Sequence, residues 1–104
     1  MTLPELETAL KTVCPDVYEL AAPPGLSQYV VYQAYGFETV FGDDCNMIDA
    51  PKVQIDILWQ SLPCNLMPSV LDKLRSLSQP FAVVSLGYDD EYAAMRCTLE
   101  LVVV

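Results

Sequence analysis

Six of the chain's carboxylates fall in two short stretches. Asp43, Asp44 and Asp49 share one segment, and Asp89, Asp90 and Glu91 share another. Clustered oxygens are what a hard cation such as Ca²⁺ requires. Neither stretch has the spaced D-x-D-x-D-G pattern with its closing Glu, so both read as solvated turns. A general acid–base pair stays open, because sequence spacing does not give the distance between two carboxyls. There is no histidine, which removes the commonest general base and metal ligand and excludes any His-based triad. Cys14, Cys45, Cys64 and Cys97 are widely and irregularly spaced, without a C-x-x-C pair. A zinc knuckle or a thioredoxin-like site is therefore not expected. The expectation is free, reduced thiols, with Cys97 on an apolar strand face acting as a small hydrophobe. Two disulfides remain formally open for a secreted protein. Ser–Lys chemistry would draw on Lys11, Lys52 or Lys73, and none has a local signature. Gly25, Gly36, Gly42 and Gly87 are all isolated, so no phosphate loop is present. The reading is no cofactor, no metal and no enzyme.

The charge balance limits the partners. Fourteen acidic residues stand against five basic ones, a net charge of −9. Such a surface is repelled by phosphates and does not seek nucleic acid. The charge favours solubility; it also suits a wall past which DNA slides without sticking. The six tyrosines could stack bases, as on RNA-binding sheets, but that needs flanking cations, and the strands offer only Lys52 and Arg96. Tyr29 and Tyr32 read as packing and interface residues. With 53% hydrophobic and 18% charged residues, the chain is too apolar to stay disordered. Its length suits a single domain over residues 1–104. No apolar run approaches the roughly 20 residues that span a bilayer. The start, Met-Thr-Leu-Pro-Glu, lacks a basic, apolar leader, so a cytoplasmic protein without membrane partners is the expectation.

The elements that position these residues follow from periodicity. Thr2 and Glu5 fit a capping box, with Pro4 in the first turn. Leu3, Leu6, Leu10 and Val13 make an apolar stripe, and Pro15 stops the helix. Val17 to Leu20 reads as a short extended piece, and residues 21–25 as a loop. Tyr29 to Tyr35 reads as a strand, and Phe37 to Phe41 continues it after Gly36. The pair is either a tight hairpin or one strand bulged at Gly36. Gly42 to Pro51 is expected to be a ten-residue loop. From Lys52 to Trp59 alternation is strict, with Val53, Ile55, Ile57 and Trp59 on the dry side and Lys52, Gln54 and Asp56 on the wet side. Ser61 to Asn65 reads as a turn, with Asn65 the N-cap of a helix running to about Ser78. Its stripe is Leu66, Met67, Val70, Leu71, Leu74 and Leu77. Phe81 to Leu86 reads as a strand apolar on both faces, and Gly87 to Glu91 as a turn. In the last strand Ala93, Met95, Cys97, Leu99, Leu101 and Val103 are expected inward, with Arg96, Thr98 and Glu100 outward. The fold class is α+β: a mostly antiparallel sheet, two helices packed on one face, in the order α-β-β-β-α-β-β.

Some surface looks unfinished for a monomer. Val102 and Val104 put apolar groups on the polar face of the last strand, and Met47 and Ile48 interrupt a polar segment. Such patches mark partner surfaces, although the C-terminal valines could equally tuck under a loop. The candidate interface is Asp43, Asp44, Met47, Ile48, Asp49, Val102 and Val104.

Two segments carry a resemblance. Tyr29-Val30-Val31-Tyr32-Gln33, then a loop, then Val53-Gln54-Ile55-Asp56-Ile57, followed by an amphipathic helix and two strands, resembles the tail terminator (tail completion) proteins of long-tailed bacteriophages. The likeness covers nearly the whole chain. It departs at Leu62-Pro63-Cys64-Asn65-Leu66-Met67-Pro68, where many relatives have an acidic residue and an Ala-rich turn. The resemblance implies a homo-oligomer, usually a hexameric ring, that caps the major tail tube protein, stops its polymerisation and presents a docking surface to the head–tail connector protein. It implies a structural virion protein of the tail, assembled in the host cytoplasm, whose lumen passes DNA without binding it specifically. Two other functions compete: a neck or head–tail joining protein, and a small α+β ligand-binding or regulatory module.

Overall fold

The computed structural model describes residues 2–41, 47–60 and 65–103, with the backbone alone over 37–41 and 47–49. The order is α1 (Leu3–Lys11), β1 (Val17–Glu19), β2 (Gln28–Phe41), β3 (Met47–Trp59), α2 (Leu66–Ser76), β4 (Ala82–Asp89) and β5 (Ala94–Val102). The five strands form one sheet ordered β1-β2-β3-β5-β4. Only β1 and β2 run parallel; every other neighbouring pair is antiparallel. This is the expected α+β architecture.

Local chemistry accounts for α1. The Thr2 hydroxyl accepts the Glu5 N–H at 3.3 Å, and proline occupies the first turn, where no N–H partner is needed. Lys11 in the last turn suits the helix dipole and pairs with Glu7 one turn back. Leu6 and Leu10 are wholly buried. In α2 the buried positions are Leu66, Val70 and Leu74, spaced four apart. Both helices lie over the sheet face that carries Val30, Tyr32, Val53, Ile55, Ile57, Trp59, Cys97, Leu99 and Leu101, forming a single core. Pairing register explains the shared face: Val30 opposes Ile57, which opposes Cys97, and Tyr32 opposes Ile55, which opposes Leu99.

Several boundaries differ from the sequence reading. Residues 28–41 form one strand, and the register slips between Ala34 and Gly36, so the bulge alternative holds and the hairpin does not. The expected loop 42–51 is corrected over its second half, because Met47 to Pro51 belong to β3 and pair with Phe41 to Phe37. Pro51 lacks an N–H, yet its carbonyl accepts the Val103 N–H at 2.9 Å. At Asn65 no side-chain cap bond forms, and α2 ends at Ser76 rather than Ser78. Leu77 therefore leaves the stripe and is exposed, while Ser78 adopts a left-handed φ of 56° past the helix end. β4 continues through Asp89, so the turn before β5 is shifted. Ala93, expected inward on the last strand, sits in that turn with a φ of 51° and is exposed. Thr98, expected outward, is buried for a reason given below.

Beyond the Gly36–Lys52 pair, β2 and β3 are, among the described residues, paired only with each other and project as a two-stranded arm, since β5 pairs β3 no further than Lys52. The molecule is correspondingly elongated, 49 × 25 × 21 Å.

Candidate functional site

Two features stand out: a polar basin on the sheet face away from the helices, and the free edge formed by β4. The basin floor arises because β3 and β5 put their alternate residues on the wet side. Asp56 opposes Val31 on β2 and Thr98 on β5, Gln54 opposes Gln33, and Leu58 opposes both Tyr29 and Arg96. Leu20, Ala21 and Ala22 from the β1–β2 connection wall one side, and Tyr92 from the β4–β5 turn walls the other. The enclosed volume is about 290 Å³.

At its centre, Asp56 is 8% exposed and accepts hydrogen bonds at both oxygens. Thr98 Oγ1 donates to Oδ1 at 2.8 Å and Arg96 Nε at 3.2 Å, while Gln54 Nε2 donates to Oδ2 at 3.1 Å. Arg96 Nη2 also lies 3.1 Å from Oδ2, a two-point clamp on the carboxylate. Arg96 Nη1 reaches Asp89 Oδ2 at 3.0 Å, and Asp89 Oδ1 accepts the N–H groups of Glu91 and Tyr92. The guanidinium lies 5.8 Å from the Tyr92 ring. These contacts explain why Thr98 is buried: it sits beneath Arg96 with its hydroxyl spent on Asp56. Hydrogen bonding from Arg96 holds the Asp89 carboxyl below the ordinary carboxylate range. Asp56 foremost, and Asp89 after it, raise the already high pKa of Arg96. Burial pushes the Tyr29 phenol up, with Tyr92 adding to the shift and Arg96 opposing it.

Chemically the network is largely satisfied from within. Each Asp56 oxygen is held twice, and Arg96 spends Nε, Nη1 and Nη2 on Asp56 and Asp89. Among the described residues no buried side-chain polar atom lacks a partner, and no cluster of His, Cys, Asp or Glu could hold a metal ion. What the network does is fasten β3, β5 and the β4–β5 turn together.

The β4 edge is the opposite case. Among the described residues β4 pairs only with β5, so its outer backbone groups have no strand partner there. Val83, Val84, Leu86 and Tyr88 are 50 to 62% exposed. Val83, Leu86 and Tyr88 oppose Leu99, Cys97 and Met95, which places them on the helix side of the sheet, where α2 does not cover them. Edges are normally guarded by charge, proline or brevity. Here the sequence has no charged residue between Arg75 and Asp89. A register slip between Val83 and Ser85 is the sole irregularity of the β4–β5 pairing.

Of the interface residues expected from the sequence, Asp43, Asp44 and Val104 lie outside the described residues. Met47, Ile48 and Asp49 belong to the arm, opposite Phe41, Val40 and Thr39. Val102 opposes Lys52, is half-buried, and its carbonyl accepts Gln79 Nε2 at 2.8 Å. Cys14 and Cys97 are free and buried, and burial raises both thiol pKa values; Cys45 and Cys64 lie outside the described residues. The Asp56–Arg96–Asp89 network escaped the sequence reading, although the alternation that put Asp56 and Arg96 on one face was visible. The exposure of β4 was signalled only as a strand apolar on both sides.

No helix among the described residues is long and apolar enough to cross a membrane. No known protein family model and no curated protein matches the chain.

Proposed function

We propose that this chain is a structural assembly protein, a tail terminator of the kind the two strand motifs resemble, acting as a closed ring of subunits on the end of a phage tail tube. The observation that carries this reading is the half-exposed β4 edge, uncharged from Ala82 to Tyr88, in a chain of net charge −9. A long, unguarded edge is an aggregation hazard unless a specific partner covers it. The β2–β3 arm, which includes Met47, Ile48 and Asp49, extends past the last β3–β5 pair and is a second element that a neighbouring subunit could meet. The internally paired Asp56–Arg96 network and the lack of histidine favour a structural over a catalytic role. The mechanism is geometric: a closed ring replaces the next tube layer and offers no further growth surface. Its acidic wall repels the DNA that passes and so keeps the channel free.

The test uses purified chain and polymerising tail tube protein of the cognate phage. Electron microscopy should find rings at tube ends, and tubes that stop lengthening on addition of the chain. Tubes that keep growing, with no chain bound to them, overturn the reading. A neck protein would bind the head connector but leave tube growth unaffected. A small-ligand module is favoured by the basin alone, and predicts that some metabolite raises the melting temperature of a chain that ignores tubes.

A further inference from the structure

The geometry points to a specific subunit contact: the outer edge of β4 in one copy adds as a strand to the outer edge of β2 in the next, so that the sheet continues from copy to copy. This rests on the ring reading and names the surfaces that make the ring. Among the described residues the sheet offers two edges long enough to receive a strand, one at each end of its order, with the three-residue β1 covering part of the second. One is β4, Ala82–Asp89. The other is β2 beyond its short parallel neighbour: β1 pairs only with Val30 to Tyr32, and the Leu20 N–H takes the Tyr32 carbonyl, so among the described residues the outer edge from Gln33 toward Phe41 has no neighbouring strand.

Three observations match these edges. They are of similar length, eight residues in β4 and Gln33 to Phe41 in β2. Their charge suits self-contact: each edge carries a single acidic residue, Glu38 in β2 and Asp89 in β4, and is otherwise uncharged. Copies that carry net −9 repel elsewhere, so contact between identical chains belongs on the surfaces poorest in charge. Direction is the third. β2 is antiparallel to β3, β3 to β5 and β5 to β4, so β4 runs opposite to β2. Extending the sheet in the same sense therefore sets β4 antiparallel to the next copy's β2 and keeps every helix-bearing face on the same side. A β4-to-β4 pair would also be antiparallel, but it would leave the β2 edge of both copies open. Head-to-tail addition covers both edges at once, and the rotation it repeats can close a ring.

Two edge variants test it: Leu86→Lys on β4 and Tyr35→Lys on β2, both at exposed side chains. Lysine is a natural guard of free edges. Melting temperatures close to that of the parent chain establish that both still fold. Each variant alone should be monomeric by sedimentation, under conditions where the parent associates. Mixed, they should form a one-to-one heterodimer that grows no further, because each keeps one intact edge. Hydrogen exchange of 82–89 and 33–37 should slow together in the associated parent. Self-association of Tyr35→Lys alone, exchange that slows only in 82–89, or no heterodimer in the mixture overturns the proposal, as does a parent chain that stays monomeric both free and on tail tubes. A heterodimer from variants of a parent that never caps tubes keeps this contact and discards the terminator. Capping by a parent whose variants fail to complement discards this contact alone.

Discussion

At the scale of single residues, the wet face is decided by one buried carboxylate. Asp56 joins a guanidinium, a hydroxyl and an amide from two strands. Removing one partner of such a pair strands the others, which costs more than the pair itself contributes. Asp56→Ala should destabilise the fold by about 3 kcal/mol in denaturant unfolding, with Asp56→Asn losing less because its oxygen still accepts the Thr98 hydroxyl. Tyr32 gives a pH signature. Burial, and then the carboxylates of Glu7 and Glu19, push its phenol from 10 up to about 12. Unfolded, it loses its proton first. The folded chain therefore holds more protons between those values, and the stabilisation present below pH 10 is lost as pH rises through 12. Alkaline unfolding of Tyr32→Phe should show a shallower fall across that window than the parent chain.

At the scale of elements, strand boundaries and irregularities are what local pattern reads least well. Gly36 marks the slip in β2, yet a side chain there meets nothing within 4 Å and the backbone does not require glycine. Gly36→Ala should leave stability within about 0.5 kcal/mol of the parent. Gly25 differs: its φ of 90° is left-handed, and Gly25→Ala should cost about 1 kcal/mol, read from melting curves. The helices and the strict alternation of Lys52 to Trp59 were legible because a 3.6-residue or two-residue period is written in side-chain polarity. Met47 to Pro51 was not. It pairs with β2 although it holds Asp49 and Pro51, because the partner strand, not propensity, extends it. Ala93 likewise fitted an inward position by alternation, but its left-handed turn conformation takes it out of the strand, which begins at Ala94.

At the scale of the whole molecule, charge and shape act together. A chain of net −9 associates against its own repulsion, so salt should strengthen the self-association rather than weaken it. Sedimentation across a salt series, up to about 0.15 M where the Debye length is roughly 8 Å, checks the sign. Dissociation with added salt would mean that opposite charges hold the contact instead.

The sequence by itself determined the fold class, the two helical stripes and the dry face of the central strand, because each is a local property of residue type and period. Only the tertiary structure decided that Asp56, Asp89 and Arg96 meet, that β4 stands at an edge with its apolar side chains in solvent, and that β2 and β3 extend past the sheet as an arm. Those facts depend on strand order and register, which are set by which strands pair across the chain, a long-range outcome that no local period encodes.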